Sequence, residues 1–416
     1  MKEKFVFMLW LVATAGVLLW IQPVISDAWK TVKNVPIGSF PMQAAHSSGK
    51  VTVQKKAAYG DYTLITQQFM PEIFLVNMKG KILYRWRMPV ENMLDGDSTR
   101  KQYDSWLAFE DAYAYPNGDL LVLTMLVGVS PYGYRLFKID KHSNLLWTHT
   151  GNIHHDIFIS KDTGNIYTLR HDFVDTVPSD IPFKRGKALA DYIQVLSQDG
   201  ELLDEISLFE AFSGTKYAKL LKKYSNKRSA WDITHANSVF RLDSEMAKHF
   251  PQFKVGALLV SVRNINALAV IDPDTRKVVW LQDQPWKLQH DAKFVNNGNI
   301  LLFDNLGSQK RNKEKYRILE VNPKTRQVQL VYPRGKRQGA ENDHFGRVDR
   351  LPNGNTLITD SLNHRVLEIN DKGAIVWNYK LMLPQRKTIK VNGSTRYHAI
   401  RSATRYTKDQ LPFLKQ

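Results

Sequence analysis

The 416-residue chain contains no cysteine. Disulfides, thiolate zinc sites and cysteine nucleophiles are excluded together. The compartment stays open, because an exported protein need not carry disulfides. Several signature loops are missing as well. The sequence has no GxxxxGK-S/T phosphate loop, no GxGxxG, no HExxH and no GxSxG. A nucleotide donor held by a phosphate loop therefore has no support, nor does a zincin or an α/β-hydrolase nucleophile. Acidic residues are few: Asp+Glu 40 against Lys+Arg 58 gives a formal net charge of +18. Long apolar runs are scarce too, and only Phe5 to Ile21 is free of charge over 17 residues. Apolar residues at 43% and charged residues at 24% fit a globular body with a large core and exclude a disordered one.

The run 5–21 follows Lys2 and Lys4 and contains Trp10 and Trp20. It reads as a signal peptide or an N-terminal membrane anchor over 1–26. The body, residues 27–416, is then exported and periplasmic, with possible attachment to the inner membrane. Lys2 and Lys4 cancel Glu3 and Asp27, so the +18 belongs to that body. Basic residues gather at Lys310, Arg311, Lys313, Lys315, Arg317, Lys336 and Arg337, and again over 386–408. Export argues against nucleic acid. Anionic small substrates or an anionic membrane surface fit the charge better, and a solvated basic face is the plain alternative.

The body repeats. HDAKFVNNGNILLFDN at 290–305 is followed by YRILEVNPKTRQVQLVY. Parallel units begin at Glu110 (EDAYAYPNGDLLVLT), His155 (HDIFISKDTGNIYTLR), His235 (HANSVFRLD, then GALLVSVR) and Gly346. A partial copy lies at 62–86. The starts step by 45, 80, 55 and 56 residues. Four short strands per unit with Asn-Gly and Asp-Gly turns are the pattern of propeller blades. The expected fold is all-β: a six-bladed β-propeller over 27–382, with blades near 60–88, 105–150, 155–208, 235–282, 290–333 and 346–381. A helical insertion is expected near 208–226, as a rim helix or a lid. A basic C-terminal tail, 383–416, either wraps a blade or closes the ring.

Within each unit the inner strand begins at Glu110, His155, His235, His290 or Gly346. Three adjacent units thus present a histidine in one register. A single such histidine is ordinarily structural; three in register point to a cluster. Counting seven residues on from the turn glycines gives Met125, His171, Arg263, Asn305 and Ser361. Those positions return to the same face. His154, His171, Asp304, His344, Arg347 and His364 are also expected near it. Asp156 and Asp291 are read as backbone hydrogen-bond acceptors. Three imidazoles and a guanidinium suit a tetrahedral oxyanion. A neutral histidine serves there as nucleophile or general base. Arg263 disfavours a metal cation among these groups, so neither a metal nor a cofactor is expected.

The stretches WDITHANSVFRLD, LLVSVRNINALAVIDPDTRKVVWL and LQHDAKFVNNGNILLFDN resemble bacterial aryl sulfotransferases that use aryl sulfate esters, not a nucleotide donor. The pattern carrying the resemblance is His-x-Asn-Ser, Ser-x-Arg and Gln-His, over roughly 150–381. One departure is Leu306 where the family has glycine after Asp-Asn. The resemblance implies a six-bladed propeller and transfer of a sulfuryl group to a phenolic acceptor through a sulfohistidine. It implies His290 as nucleophile, His235 and Arg263 as sulfate-binding groups, and His155, or adjacent His154, as the remaining histidine. His154, His171, Asn305 and Trp286 are weaker candidates for substrate contact. Tyr132, Tyr134, Phe173 and Trp231 are candidate aromatic walls. Two other readings stay open. One is an exported propeller that binds an anionic ligand without catalysis, the other a metal-dependent lyase or hydrolase. DSLNHRVLEIN at 360–370 is the segment that favours them.

Overall fold

The protein is described by a computed structural model over residues 48–68, 72–87, 107–126, 131–181, 183, 186–224, 231–306, 316–333, 345–382, 388–391, 394–397 and 399–415. The leader 1–26, His344 and most of the basic cluster at 310–337 lie outside the described residues. Among those described, no helix is long and apolar enough to cross a membrane.

Short strands follow one another with turns between. In order they are β1 (Ser48–Gln54), β2 (Tyr62–Gln67), β3 (Glu72–Asn77), β4 (Ile82–Arg87), β5 (Leu107–Ala114), β6 (Leu120–Leu126), β7 (Tyr134–Ile139), β8 (Leu145–Ile159), β9 (Ile166–Val174), β10 (Ala188–Leu196) and β11 (Leu202–Ser207). Next come β12 (Ala236–Arg241), β13 (Leu258–Val262), β14 (Ala267–Ile271), β15 (Val278–Gln282), β16 (His290–Val295), β17 (Asn299–Asp304), β18 (Arg317–Val321) and β19 (Val328–Tyr332). The last are β20 (Arg347–Arg350), β21 (Thr356–Asp360), β22 (Arg365–Ile369), β23 (Ile375–Met382), β24 (Thr388–Val391), β25 (Ser394–Tyr397) and β26 (Ile400–Tyr406).

These strands make an all-β propeller. The innermost strands touch in cyclic order, β5 to β8, β12, β16, β20, β26 and back to β5. The hydrogen bonding corrects the expectation of six separate blades. Four blade-sized sheets form, of four or five strands each, together with one seven-stranded sheet and the β24–β25 pair. The repeats expected at 105–150 and 155–208 share that seven-stranded sheet. β8 joins them, pairing with β7 through its first half and with β9 through its second. No proline interrupts Leu145–Ile159, so nothing forces the chain to break the ladder there.

The ends of the chain meet. β26 pairs with β2, and β1 pairs with β23. A segment expected as a tail thus supplies the innermost strand of the sheet that holds β2, β3 and β4. Thr66 and Ser402 hydrogen-bond across this seam at 2.9 Å.

Adjacent sheets are clamped by apolar faces. Leu259, Leu268 and Val270 pack with Phe294, Ile300 and Leu302 in one such layer. Full burial of side chains of this size stabilises by about 1.5–3 kcal/mol each. The insertion after β11 is two short helices, not one: α1 (Leu208–Phe212) and α2 (Ala218–Tyr224). Ser207 caps α1, and Gly214 at φ +74° turns the chain between them. Leu208, Phe209, Phe212 and Leu221 are buried in the core under β10 and β12 to β14, which ties the insertion to the propeller.

Inner strands are also latched through side chains beside the candidate histidines. Asp156 Oδ2 accepts from the Val239 amide at 2.9 Å, and Asp291 Oδ2 from the Val348 amide at 2.6 Å. The His-x-Asn-Ser pattern works the same way. Asn237 Nδ2 donates to the Gln289 carbonyl at 2.8 Å, and Ser238 Oγ accepts from the Ala292 amide at 3.0 Å. Beneath them Arg347 lies among three buried carboxylates, 2.7 Å from Asp156, 3.2 Å from Asp111 and 3.8 Å from Asp291. Burial raises the Asp111 carboxyl to about 6 against the opposing pull of Arg347.

Candidate active site

The histidines reach their positions through a repeated irregularity. The inner strands slip register at the same level: between His154 and Ile157, Ala236 and Ser238, and His290 and Lys293. Such bulges re-aim side chains. His155, His235 and Asp291 take positive φ values of 64°, 47° and 50°. That conformation disfavours non-glycine residues by about 1–2 kcal/mol each. A regular strand would point His154 and His155 to opposite faces. Instead their Nδ1 atoms lie 2.7 Å apart.

His290 is the most tightly held of the set. Its Nδ1 lies 2.7 Å from Asn305 Oδ1 and 3.0 Å from the Leu288 carbonyl oxygen. Both partners accept only. Asn305 is itself fixed, since its Nδ2 donates to the Phe345 carbonyl at 2.8 Å. Nδ1 of His290 therefore carries the proton, and Nε2 keeps its lone pair. Burial, and then the charge of Arg263, hold His290 well below the usual histidine pKa. The ring is neutral at pH 7.

The loop leading into His290 is anchored three times. Trp286 Nε1 donates to the Asn266 carbonyl at 2.9 Å, the Leu288 amide to Asn266 Oδ1 at 2.8 Å, and the Lys287 amide to Asp304 Oδ1 at 3.0 Å. Trp286 is thus corrected as a substrate contact. It is 1% exposed and packs in the core with Trp280 and Phe294. Tyr134 is likewise a core residue. Asp304 is buried and bonded to Arg317 Nε at 2.8 Å, which makes it a loop clamp.

His235 pairs with a residue not singled out in the sequence. Its Nδ1 lies 2.6 Å from Asp232 Oδ2. That contact places a proton on Nδ1 and leaves Nε2 for exchange. Tyr132 OH is 3.1 Å from Nδ1 and 3.4 Å from Nε2 of the same ring. Tyr132 is the hub of the cluster. Its ring lies 5.2 Å from His235, 5.4 Å from His154 and from His155, and 4.2 Å from His171, centroid to centroid. His155 and His235 are 5.4 Å apart on the same measure. Burial holds His155 well below its ordinary pKa, with His154, His235 and His290 adding to the depression.

Arg263 ends β13 in a short 3-10 turn, and its amide donates to the His235 carbonyl at 3.2 Å. Its guanidinium donates to Asn264 Oδ1 at 2.8 Å, adds to the depression of the His290 pKa, and opposes the rise that burial imposes on the Tyr132 hydroxyl. Ser361–Asn363 forms the matching turn in a later repeat, capped by His364 at φ +55° where Asn266 stands at +54°. DSLNHRVLEIN thus specifies a turn of the repeat.

The structure brings His155, His235, His290 and Arg263 into one electrostatic neighbourhood with Asn305. His154 and His171 lie beneath it, fully buried. Phe173 and Trp231 face each other at 6.0 Å, with Trp231 39% exposed. Sequence reasoning missed Asp232 and Arg401. Arg401 is ion-paired with buried Glu110, sits over the Phe345 ring at 3.8 Å and adds to the field on His155. The signal for Asp232 was its place three residues before His235. Arg401 had none, because only the β26 pairing brings it in.

The sequence matches the arylsulfotransferase (ASST) family over residues 112–381, well over half the chain. The chain belongs to the arylsulfotransferase family. Membership supports a sulfotransferase-type function on small-molecule substrates. The matched span contains His155, His235, His290, Arg263 and Asn305 of the candidate site described above. No curated protein matches the sequence. Among solved structures, a protein of unknown function from Bacteroides caccae is similar at 13% identity, covering 77% of this chain and 93% of its own, with TM-score 0.48. The Pan2 WD40 domain of Neurospora crassa gives 9% identity, 90% and 94% coverage and TM-score 0.43. An inactive virginiamycin B lyase from Staphylococcus aureus with quinupristin gives 10%, 79% and 87%, and 0.42.

Proposed function

We propose that this arylsulfotransferase moves a sulfuryl group from an aryl sulfate to a phenolic acceptor through a covalent intermediate on His290. The observation that carries the reading is the fixed tautomer of His290, with Nε2 unprotonated beside Arg263. In the first half-reaction Nε2 attacks sulfur; the S–N bond forms as the bond from sulfur to the aryl oxygen breaks. Arg263 offsets charge on the sulfuryl oxygens. His235 in its imidazolium form, oriented by Asp232, gives its Nε2 proton to the departing phenolate. In the second half the acceptor phenol returns a proton to His235. Its oxygen bonds to sulfur, and the S–N bond breaks. His155 completes the anion-binding wall. The apolar run 5–21 supports a periplasmic location for the body, either anchored to the inner membrane or released by cleavage.

The test is intact-protein mass spectrometry after mixing the protein with 4-nitrophenyl sulfate. A gain of one sulfuryl group, mapped to His290 and discharged by phenol, is expected. A His290→Ala variant that still releases nitrophenol and sulfates phenol at the wild-type rate would refute the assignment.

A further inference from the structure

Below the catalytic layer, three side chains converge. His154 Nε2, His171 Nδ1 and Asp191 Oδ1 lie within 4.8 Å of one another. His154 Nε2 is 3.5 Å from Asp191 Oδ1, and His171 Nδ1 is 3.7 Å from it. All three residues are at most 1% exposed, and none of these three atoms has a hydrogen-bond partner. Buried polar atoms without partners are rare, and each needs an explanation.

The neighbouring bonds sharpen the point. His171 Nε2 lies 2.5 Å from the Tyr132 carbonyl oxygen, which can only accept. The proton is therefore on Nε2, and Nδ1 aims a lone pair toward a carboxylate. Asp191 Oδ2 is already occupied, accepting from Thr234 Oγ1 at 2.6 Å and the Ala236 amide at 2.7 Å. Its other oxygen is left facing two imidazole nitrogens. His171 Nδ1 and Asp191 Oδ1 thus present two lone pairs to each other in a dry site, an arrangement that a cation between them and His154 Nε2 would relieve.

We propose that His154 Nε2, His171 Nδ1 and Asp191 Oδ1 bind one divalent transition-metal ion, with zinc the best match. Two imidazoles and a carboxylate are a standard donor set for zinc, iron or cobalt. Metal–ligand distances of about 2.0–2.2 Å place tetrahedral donors roughly 3.3–3.6 Å apart, close to the spacings found here. The site is separate from Arg263 and His290 and independent of the sulfuryl-transfer reading. Its effect on the upper layer is orientation. A metal on His154 Nε2 leaves the proton on Nδ1, which donates to His155 Nδ1 and turns the protonated Nε2 of His155 away from that contact. His171 in turn holds the backbone of Tyr132. This proposal departs from the expectation that no metal is bound, which rested on Arg263 standing beside the other histidines.

The experiment loads the full chain with zinc chloride, removes excess by dialysis against metal-free buffer, and counts metal by inductively coupled plasma mass spectrometry. About one zinc per chain is expected in the wild type and in His235→Ala, and at least tenfold less in His171→Asn and Asp191→Asn. Cobalt chloride is the second probe. It should give visible ligand-field bands that EDTA abolishes, with a fall in melting temperature. Retention of zinc by His171→Asn, or its loss in His235→Ala, would overturn the assignment. If the ligand variants do not fold, the wild type still decides: failure to retain zinc or cobalt overturns the proposal.

Discussion

Asn305 Oδ1 sits 2.7 Å from His290 Nδ1; His290 opens β16, and Asn305 directly follows β17, its partner strand in one β-hairpin. This contact selects which imidazole nitrogen faces the site. Asn305→Ala removes the acceptor and lets the ring rotate or change tautomer. We expect sulfuryl transfer to fall by about 10²-fold, with substrate KM changed little, because the loss is in nucleophile orientation. Steady-state kinetics with 4-nitrophenyl sulfate and phenol checks this. An unchanged kcat would remove Asn305 from the machinery.

Arg263→Lys keeps the charge but loses the paired N–H donors. If the sulfuryl oxygens lie against the guanidinium, kcat/KM falls by roughly 10²-fold despite charge conservation. Arg263→Lys at wild-type efficiency would show that only the charge matters.

His290 also predicts a pH effect on stability. Its folded pKa lies well below the ordinary value near 6.5, so the unfolded chain takes up a proton that the folded chain refuses. Stability then falls as pH drops from about 6.5 toward the folded pKa, at about 1.4 kcal/mol per pH unit. Above 6.5 this group contributes no slope. Urea unfolding at pH 7.5, 6.5 and 5.5 should show a shallower acid loss in His290→Asn than in the wild type. Parallel curves would contradict the buried neutral state.

Arg347→Met leaves Asp111, Asp156 and Asp291 without their shared cation. Breaking a buried charge cluster from one side destabilises by about 3–5 kcal/mol. The melting temperature should fall by several degrees or more, and restoring Lys at 347 should recover part of it. A melting temperature within a degree of wild type would show that the carboxylates are neutralised another way.

A chain ended after Ala399 lacks β26 and leaves the inner edge of β2 unpaired. We expect no cooperative thermal transition from that truncation. Fully cooperative unfolding would show that the ring closes without β26.

The repeat was legible from periodicity, because turn glycines and alternating apolar residues mark strands without any tertiary information. The histidine register was legible for the same reason: repeats superpose, so residues at matching positions share a level. Asn305 and Arg263 emerged from that count, although the count gave Asn305 only a weak role. Other features depend on the closed ring. The shared β8 could not be read, because nothing local distinguishes a strand that ends from one that feeds two ladders. The bulges at His155 and His235 were hidden too, since positive φ at a non-glycine residue is imposed by surroundings and not by propensity. Trp286 read as a weaker candidate for substrate contact, and packing made it core. Tyr132 and Arg401 meet the histidines only when strands far apart in sequence are brought side by side, whereas Asp232 reaches His235 from three residues away. The sequence alone determined the repeating strands and which residue types could do chemistry. The tertiary structure decided which nitrogen of each ring faces the site, because that depends on how the bulged backbone aims each ring at its hydrogen-bond partner.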